Sequence, residues 1–187
     1  MPAFFLSLLL CALVTAAGRE SVRVARLSGA LGSGTGLLFA VVASSVLSSA
    51  LAAFLGSRIA PILAADAKLM FVAFALGIAG IELALLKPRR APVEPTRSTG
   101  AILLVLLAAQ ITDAARFCIM AIAVSTAAPA MAAAGGAVGS AAALIIASIA
   151  ARNWEDKLPL AKLRYLVGFI LAIAGLVTAM SARGIIF

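Results

Sequence analysis

The stretch LLAAQITDAARFCIMAIAV, Leu106 to Val124, decides how the chain is read. It is apolar except for Gln110, Thr112, Asp113 and Arg116, which fall within two helical turns. Asp113 is the only acid between Glu94 and Glu155. An ionisable residue at membrane depth is costly, so it faces a bundle interior or a water-filled cavity and marks a functional site. What faces Asp113 is therefore the main question the sequence raises.

The rest of the chain is as apolar as this stretch. Of its 187 residues, 64% are hydrophobic, and the mean hydropathy is +1.18. A soluble domain of this size could not cover its own surface with such a composition. The expected class is an all-α integral membrane protein whose main partner is the lipid bilayer. The net charge of +8 is assigned to loops at the membrane surface, so nucleic acid is not expected as a partner. Cys11 and Cys118 lie in apolar runs without CxxC spacing and are read as buried small hydrophobes. With no histidine in the chain, His-based metal ligation and catalysis are excluded. No resident cofactor is expected.

Six spanning helices can be placed. The first covers about Ala3 to Leu31 and lacks the basic start of a signal peptide, so it is read as retained. Its second half carries Arg19, Arg23 and Arg26 on one face. Arg23 and Arg26 read as snorkelling residues at a helix end, whereas Arg19 and Glu20 fit that role and a cavity lining equally well. The second helix is about Gly36 to Leu55, where Ser44, Ser45, Ser48 and Ser49 read as close-packing residues. The third is about Leu69 to Leu86. Lys87 to Thr99, with three prolines and four basic residues, is a linker. The fourth is about Gly100 to Thr126, AAPAMAAAGG a turn, and the fifth about Ala132 to Ala151. A loop with Trp154, suited to an interfacial belt, leads to the sixth, about Leu160 to Ala182.

The halves on either side of the linker repeat each other. LMFVAFALGIAGI (Leu69 to Ile81) aligns without gaps on RYLVGFILAIAGL (Arg164 to Leu176), and LVTAAGRESVR (Leu13 to Arg23) on LAAQITDAARF (Leu107 to Phe117). Three helices per repeat force the second copy to insert upside down. The expected architecture is six transmembrane helices as two inverted three-helix repeats, residues 1–86 and 100–187, joined by the linker 87–99. Such repeats characterise secondary transporters, with the site near the midplane. Basic residues crowd one side: Arg23, Arg26, Lys87, Arg89, Arg90, Arg97, Arg152, Lys157, Lys162 and Arg164, against Arg58, Lys68 and Arg183 on the other. The linker is accordingly expected in the cytoplasm and both termini outside.

This plan resembles the Gdt-type cation/proton exchangers, the Golgi and bacterial manganese or calcium transporters of the lysine-exporter superfamily. The likeness runs over the whole chain and is densest in LGSRIAPILAADAKLMFVAFALGIAGIEL (Leu55 to Leu83). The family signature, E-x-G-D-[KR]-[ST] once per repeat, is eroded here. In the first repeat, Ala16 and Arg19 replace the two acids and Glu20 the basic residue, while Gly18 and Ser21 match. In the second, Gln110 replaces the Glu, Thr112 the Gly, and Ala114 and Ala115 the last two positions, while Asp113 matches. The resemblance implies a transporter and not an enzyme, in a bacterial inner membrane, carrying a cation such as manganese or calcium, or an altered substrate, in exchange for protons. It implies a substrate and proton site at Asp113, Gln110, Thr112, Arg19, Glu20 and Ser21, with Asp113 and Gln110 as cation ligands. Because Arg19 and Asp113 are aligned, they are expected to pair across the bundle centre. The alternative is a non-transporting membrane scaffold of the same fold.

Overall fold

The computed structural model describes residues 1–32, 34–88 and 97–185. Most of the expected linker, 89–96, and the last two residues lie outside the described residues. The described chain is helical throughout: α1 Pro2–Ala17, α2 Arg19–Leu31, α3 Thr35–Ile59 with a 3-10 turn Ala60–Ile62, α4 Ala65–Leu85, α5 Thr99–Ile111, α6 Ala114–Thr126, α7 Pro129–Ala150, the short α8 Arg152–Lys157, and α9 Leu160–Ala182. α3, α4, α7 and α9 are each long and apolar enough to cross a membrane. The number of candidate spans rises to six if α1 with α2, and α5 with α6, are each taken as one. The chain is thus an all-helical protein with four to six candidate spans, compatible with an integral membrane protein.

The first and fourth expected helices are not continuous. α1 and α2 meet at 62°, and α5 and α6 at 58°. Gly18 leaves helical geometry at the first break (φ −73°, ψ 171°), and Thr112 with Asp113 does so at the second (ψ 17° and 149°). These residue types are weak helix formers, and Asp suits a helix start. A break frees backbone groups that need new partners inside a bundle. The Ser21 hydroxyl turns back to the carbonyls of Ala16 and Gly18, both at 2.9 Å. The Ala114 amide donates to Glu82 Oε2 at 3.2 Å.

Other boundaries shift by a few residues. The expected turn AAPAMAAAGG shrinks to Ala127, which has φ +51°, and Ala128. α7 already starts at Pro129, a residue suited to a first helical turn. The loop after α7 contains α8, and Trp154 is 8% exposed, packed with Val22, Ala25, Ala147 and Leu160 rather than held at a surface belt.

Close packing relies on small residues. Along α1 and α7, a Cβ at Gly135 or Gly139 would meet the Phe4 or Leu8 carbonyl. α4 and α9 cross antiparallel. There a Cβ on Gly80 would lie 2.6 Å from the Gly168 carbonyl oxygen and 2.9 Å from the Ala172 amide, and one on Gly175 would lie 2.8 Å from the Ala73 carbonyl oxygen and 3.0 Å from the Gly77 amide. Gly80, Gly175 and Ala172 therefore stand at helix contacts. Gly77 offers its backbone, but its own Cβ direction is open.

One end of the bundle collects charge. Arg26 grips Glu155 with two hydrogen bonds of 2.7 Å. Arg152 Cγ comes within 3.5 Å of a Cβ on Gly29, and Arg164 Nη2 donates to the Leu83 carbonyl at 3.1 Å and to that of Leu86. The ends of α2, α4 and α7 and the start of α9 thus meet there, with Arg26, Arg152 and Arg164 among them.

Candidate functional site

The two breaks face each other inside the bundle. Asp113 Oδ1 lies 3.7 Å from where a Cβ on Gly18 would stand. Asp113 is 1% exposed, and its Oδ1 is buried without a hydrogen-bond partner. A buried acceptor left unsatisfied costs about 1–3 kcal/mol. Glu20 Oε1, fully buried on the first turn of α2, is likewise without a partner.

Arg19 does not pair with Asp113. Its Nε lies 2.9 Å from Glu82 Oε1, so the ion pair runs from α2 to α4. Glu82 intercepts it because an acid near the end of α4 faces the same interior and also caps α6 through the Ala114 amide. Glu20 Oε2 takes Arg23 Nη1 at 3.0 Å, one turn along α2. Asp113 makes no ion pair among the described residues, and Arg116 and Arg19 supply the positive charge around it.

A second polar cluster surrounds Arg116, which is 2% exposed. Its Nε donates to Ser48 Oγ at 2.8 Å, Nη1 to Ser140 Oγ at 2.8 Å and Nη2 to Gln110 Oε1 at 2.5 Å. Ser48 also bonds Gln110 Oε1 at 2.9 Å. The Gln110 amide donates to Ser44 Oγ at 3.0 Å, and Thr15 Oγ1 donates to Ser140 Oγ at 3.1 Å. One guanidinium thus ties α6 to α3, α5 and α7. A buried charge is tolerated when it is hydrogen-bonded in this way.

The expected site residues therefore divide. Asp113, Arg19 and Glu20 gather at the breaks. Ser21 turns to the backbone of the first break, where it satisfies carbonyls. Thr112 is at the second break and lines a cavity with Arg19 and Arg23. Gln110 belongs to the Arg116 cluster, and its carbonyl oxygen already accepts two hydrogen bonds, so it is not free as a cation ligand. Among the described residues, no group of three or more His, Cys, Asp or Glu is arranged to hold a metal ion.

Four partners escaped the sequence reading. Glu82 is an acid inside an otherwise apolar span, which was signal enough. Arg116 stood out as polar but had no assignable partner. Ser44 and Ser48 share a helical face, yet the serine pairs 44/45 and 48/49 look the same whether they pack or bond.

Comparison with family models, with curated proteins and with solved structures returns no match. The class the fold and site define is that of a multi-helix protein with candidate spans and a buried ionic cluster at two helix breaks.

Proposed function

We propose that the chain is a secondary transporter of two inverted three-helix repeats that exchanges a small cation for protons, with Asp113 as the group that takes either. The observation that carries the reading is the coincidence of the breaks. In the gap-free alignment of Leu13–Arg23 on Leu107–Phe117, Gly18 falls on Thr112 and Arg19 on Asp113. Those are the positions where the two helices break, at 62° and 58°. Discontinuous helices at corresponding places in two repeats build the sites of many secondary transporters.

The α4–α9 crossing supports the same symmetry. Gly80 aligns with Gly175, Ala73 with Gly168, and Gly77 with Ala172. The two close contacts of Gly80 then map onto the two of Gly175, within 0.2 Å for the carbonyls and 0.1 Å for the amides.

Alternating access needs the two repeats to differ at any moment. Here α1 packs on α6, where Cys11 Sγ donates to the Ala115 carbonyl at 3.7 Å. The corresponding pair α5 and α2 is parted by a cavity of about 310 Å³. That cavity lies beside Arg23, toward the basic end of the bundle. By the positive-inside rule this end is cytoplasmic and both termini are outside, so the state is open inward.

A second reading, a non-transporting scaffold, draws support from the pairing of Arg19 with Glu82 and Arg23 with Glu20. Guanidiniums occupy the carboxylates of Glu82 and Glu20, and the Gln110 oxygen already accepts two hydrogen bonds. Flux into proteoliposomes of manganese, calcium and basic amino acids separates the two. Uptake of one of these above empty liposomes, driven by a pH gradient, is the expected result. No uptake of any leaves the scaffold.

A further inference from the structure

The cavity between α2 and α5 is lined by Arg19, Arg23, Val105, Ala108, Ala109 and Thr112. Its polar wall is cationic. Each guanidinium carries five N–H donors. Arg19 Nε stands 2.9 Å from Glu82 Oε1 as an ion pair, and Arg23 donates Nη1 to Glu20 Oε2. Among the described residues, neither makes a further hydrogen bond or ion pair. The two carboxylates stand behind the arginines: Glu20 is fully buried, Glu82 is 6% exposed, and neither lines the cavity. The cavity thus meets the positive side of both pairs. The side chains of Arg19 and Arg23 are 14% and 22% exposed, which makes them reachable from it. Thr112 adds a hydroxyl at the α5–α6 break, and Val105, Ala108 and Ala109 close the opposite wall.

We propose that this cavity binds a small oxyanion, a phosphate or carboxylate group, held by the donors of Arg19 and Arg23 that their glutamate partners leave over. Paired guanidiniums suit such a group because their planar forks match its oxygens, and these hydrogen bonds are charge-assisted. The volume of about 310 Å³ is at the small end of ligand pockets and fits an inorganic ion or one headgroup, not a large solute. The oxyanion belongs either to a free solute or to an anionic lipid, since the cavity opens between two helices.

The site goes beyond cation exchange and is tested by binding rather than flux. The full chain, purified in an uncharged detergent, is unfolded thermally in sodium phosphate or sodium acetate, and in sodium chloride of equal ionic strength. In parallel, mixed micelles carry phosphatidylglycerol or phosphatidylcholine. Phosphate or acetate should raise the midpoint by about 3 °C over chloride, the order expected at roughly ten times the dissociation constant. Ala108→Leu fills the cavity while keeping both arginines and should abolish the rise. Arg23→Gln should do the same, and either variant decides if the other does not fold. Arg58→Gln, at the end of α3, should keep the rise. A rise with phosphatidylglycerol alone, lost in Ala108→Leu, makes the oxyanion a headgroup. No rise with any oxyanion, or one that survives Ala108→Leu and Arg23→Gln, overturns the proposal. Proton-driven cation flux that persists in that case leaves the transport reading standing.

Discussion

Arg19 and Glu82 form an ion pair of 2.9 Å that joins α2, just past the first helix break, to α4. Glu82 holds the pair from below the second break as well, through the Ala114 amide. The carboxylate thus bridges the starts of α2 and α6. Removing one partner leaves a buried charge, which costs about 3–5 kcal/mol, whereas removing both does not. Arg19→Leu and Glu82→Leu should each lower the unfolding midpoint, and the double variant should be more stable than either. A double variant as unstable as the sum of the singles would show that the two do not interact.

Arg116 is held by Ser48, Ser140 and Gln110 from three other helices. A lysine keeps the charge but not the planar fork, so it cannot serve all three. Arg116→Lys should cost on the order of 3 kcal/mol, as lost charged hydrogen bonds do. Thermal unfolding in detergent measures it, and a midpoint equal to that of the parent chain would mean that the cluster adds no stability.

The α4–α9 crossing yields a paired test. Gly80→Leu and Gly175→Leu push side chains into facing backbone at 2.6 to 3.0 Å and should each cut the folded yield in detergent. Gly77→Ala meets nothing within 4 Å and should stay within about 0.5 kcal/mol of the parent. Equal yields for all three would place the crossing elsewhere.

Orientation can be measured directly. Reporter domains fused after Lys87 and after Arg183 should label opposite sides of the membrane, with Lys87 in the cytoplasm. Both on one side would remove the inverted-repeat arrangement along with the six-span count.

Much of this was legible in the sequence, for identifiable reasons. Hydropathy places α3, α4, α7 and α9 because a spanning helix leaves a long apolar run. Asp113 announces itself as a lone acid in such a run. The breaks at Gly18 and Thr112–Asp113 were not legible, since hydropathy does not register a local turn and both segments keep their apolar length. The expected Arg19–Asp113 pair illustrates a second limit. Alignment brings positions into correspondence but does not decide which of several nearby acids a guanidinium reaches. Glu82 wins because α4 places it beside both breaks, a fact of packing that no local pattern encodes. Ser44 and Ser48 are similar: their spacing suits close packing, and only the arrival of Arg116 and Gln110 from other helices makes them hydrogen-bond partners.

The claim that matters most is that Asp113, buried with one oxygen unpartnered, takes up the proton and the cation in turn. Proteoliposomes loaded with a pH-sensitive dye and given manganese or calcium outside test it most directly, comparing the parent chain with Asp113→Asn. The asparagine keeps the size and one acceptor but can neither ionise nor exchange a proton. Cation entry in exchange for lumenal protons should alkalinise the lumen with the parent chain and leave its pH unchanged with Asp113→Asn, whose folded yield and unfolding midpoint stay near those of the parent. Equal proton movement in the two, or none in either under any cation gradient, would contradict it.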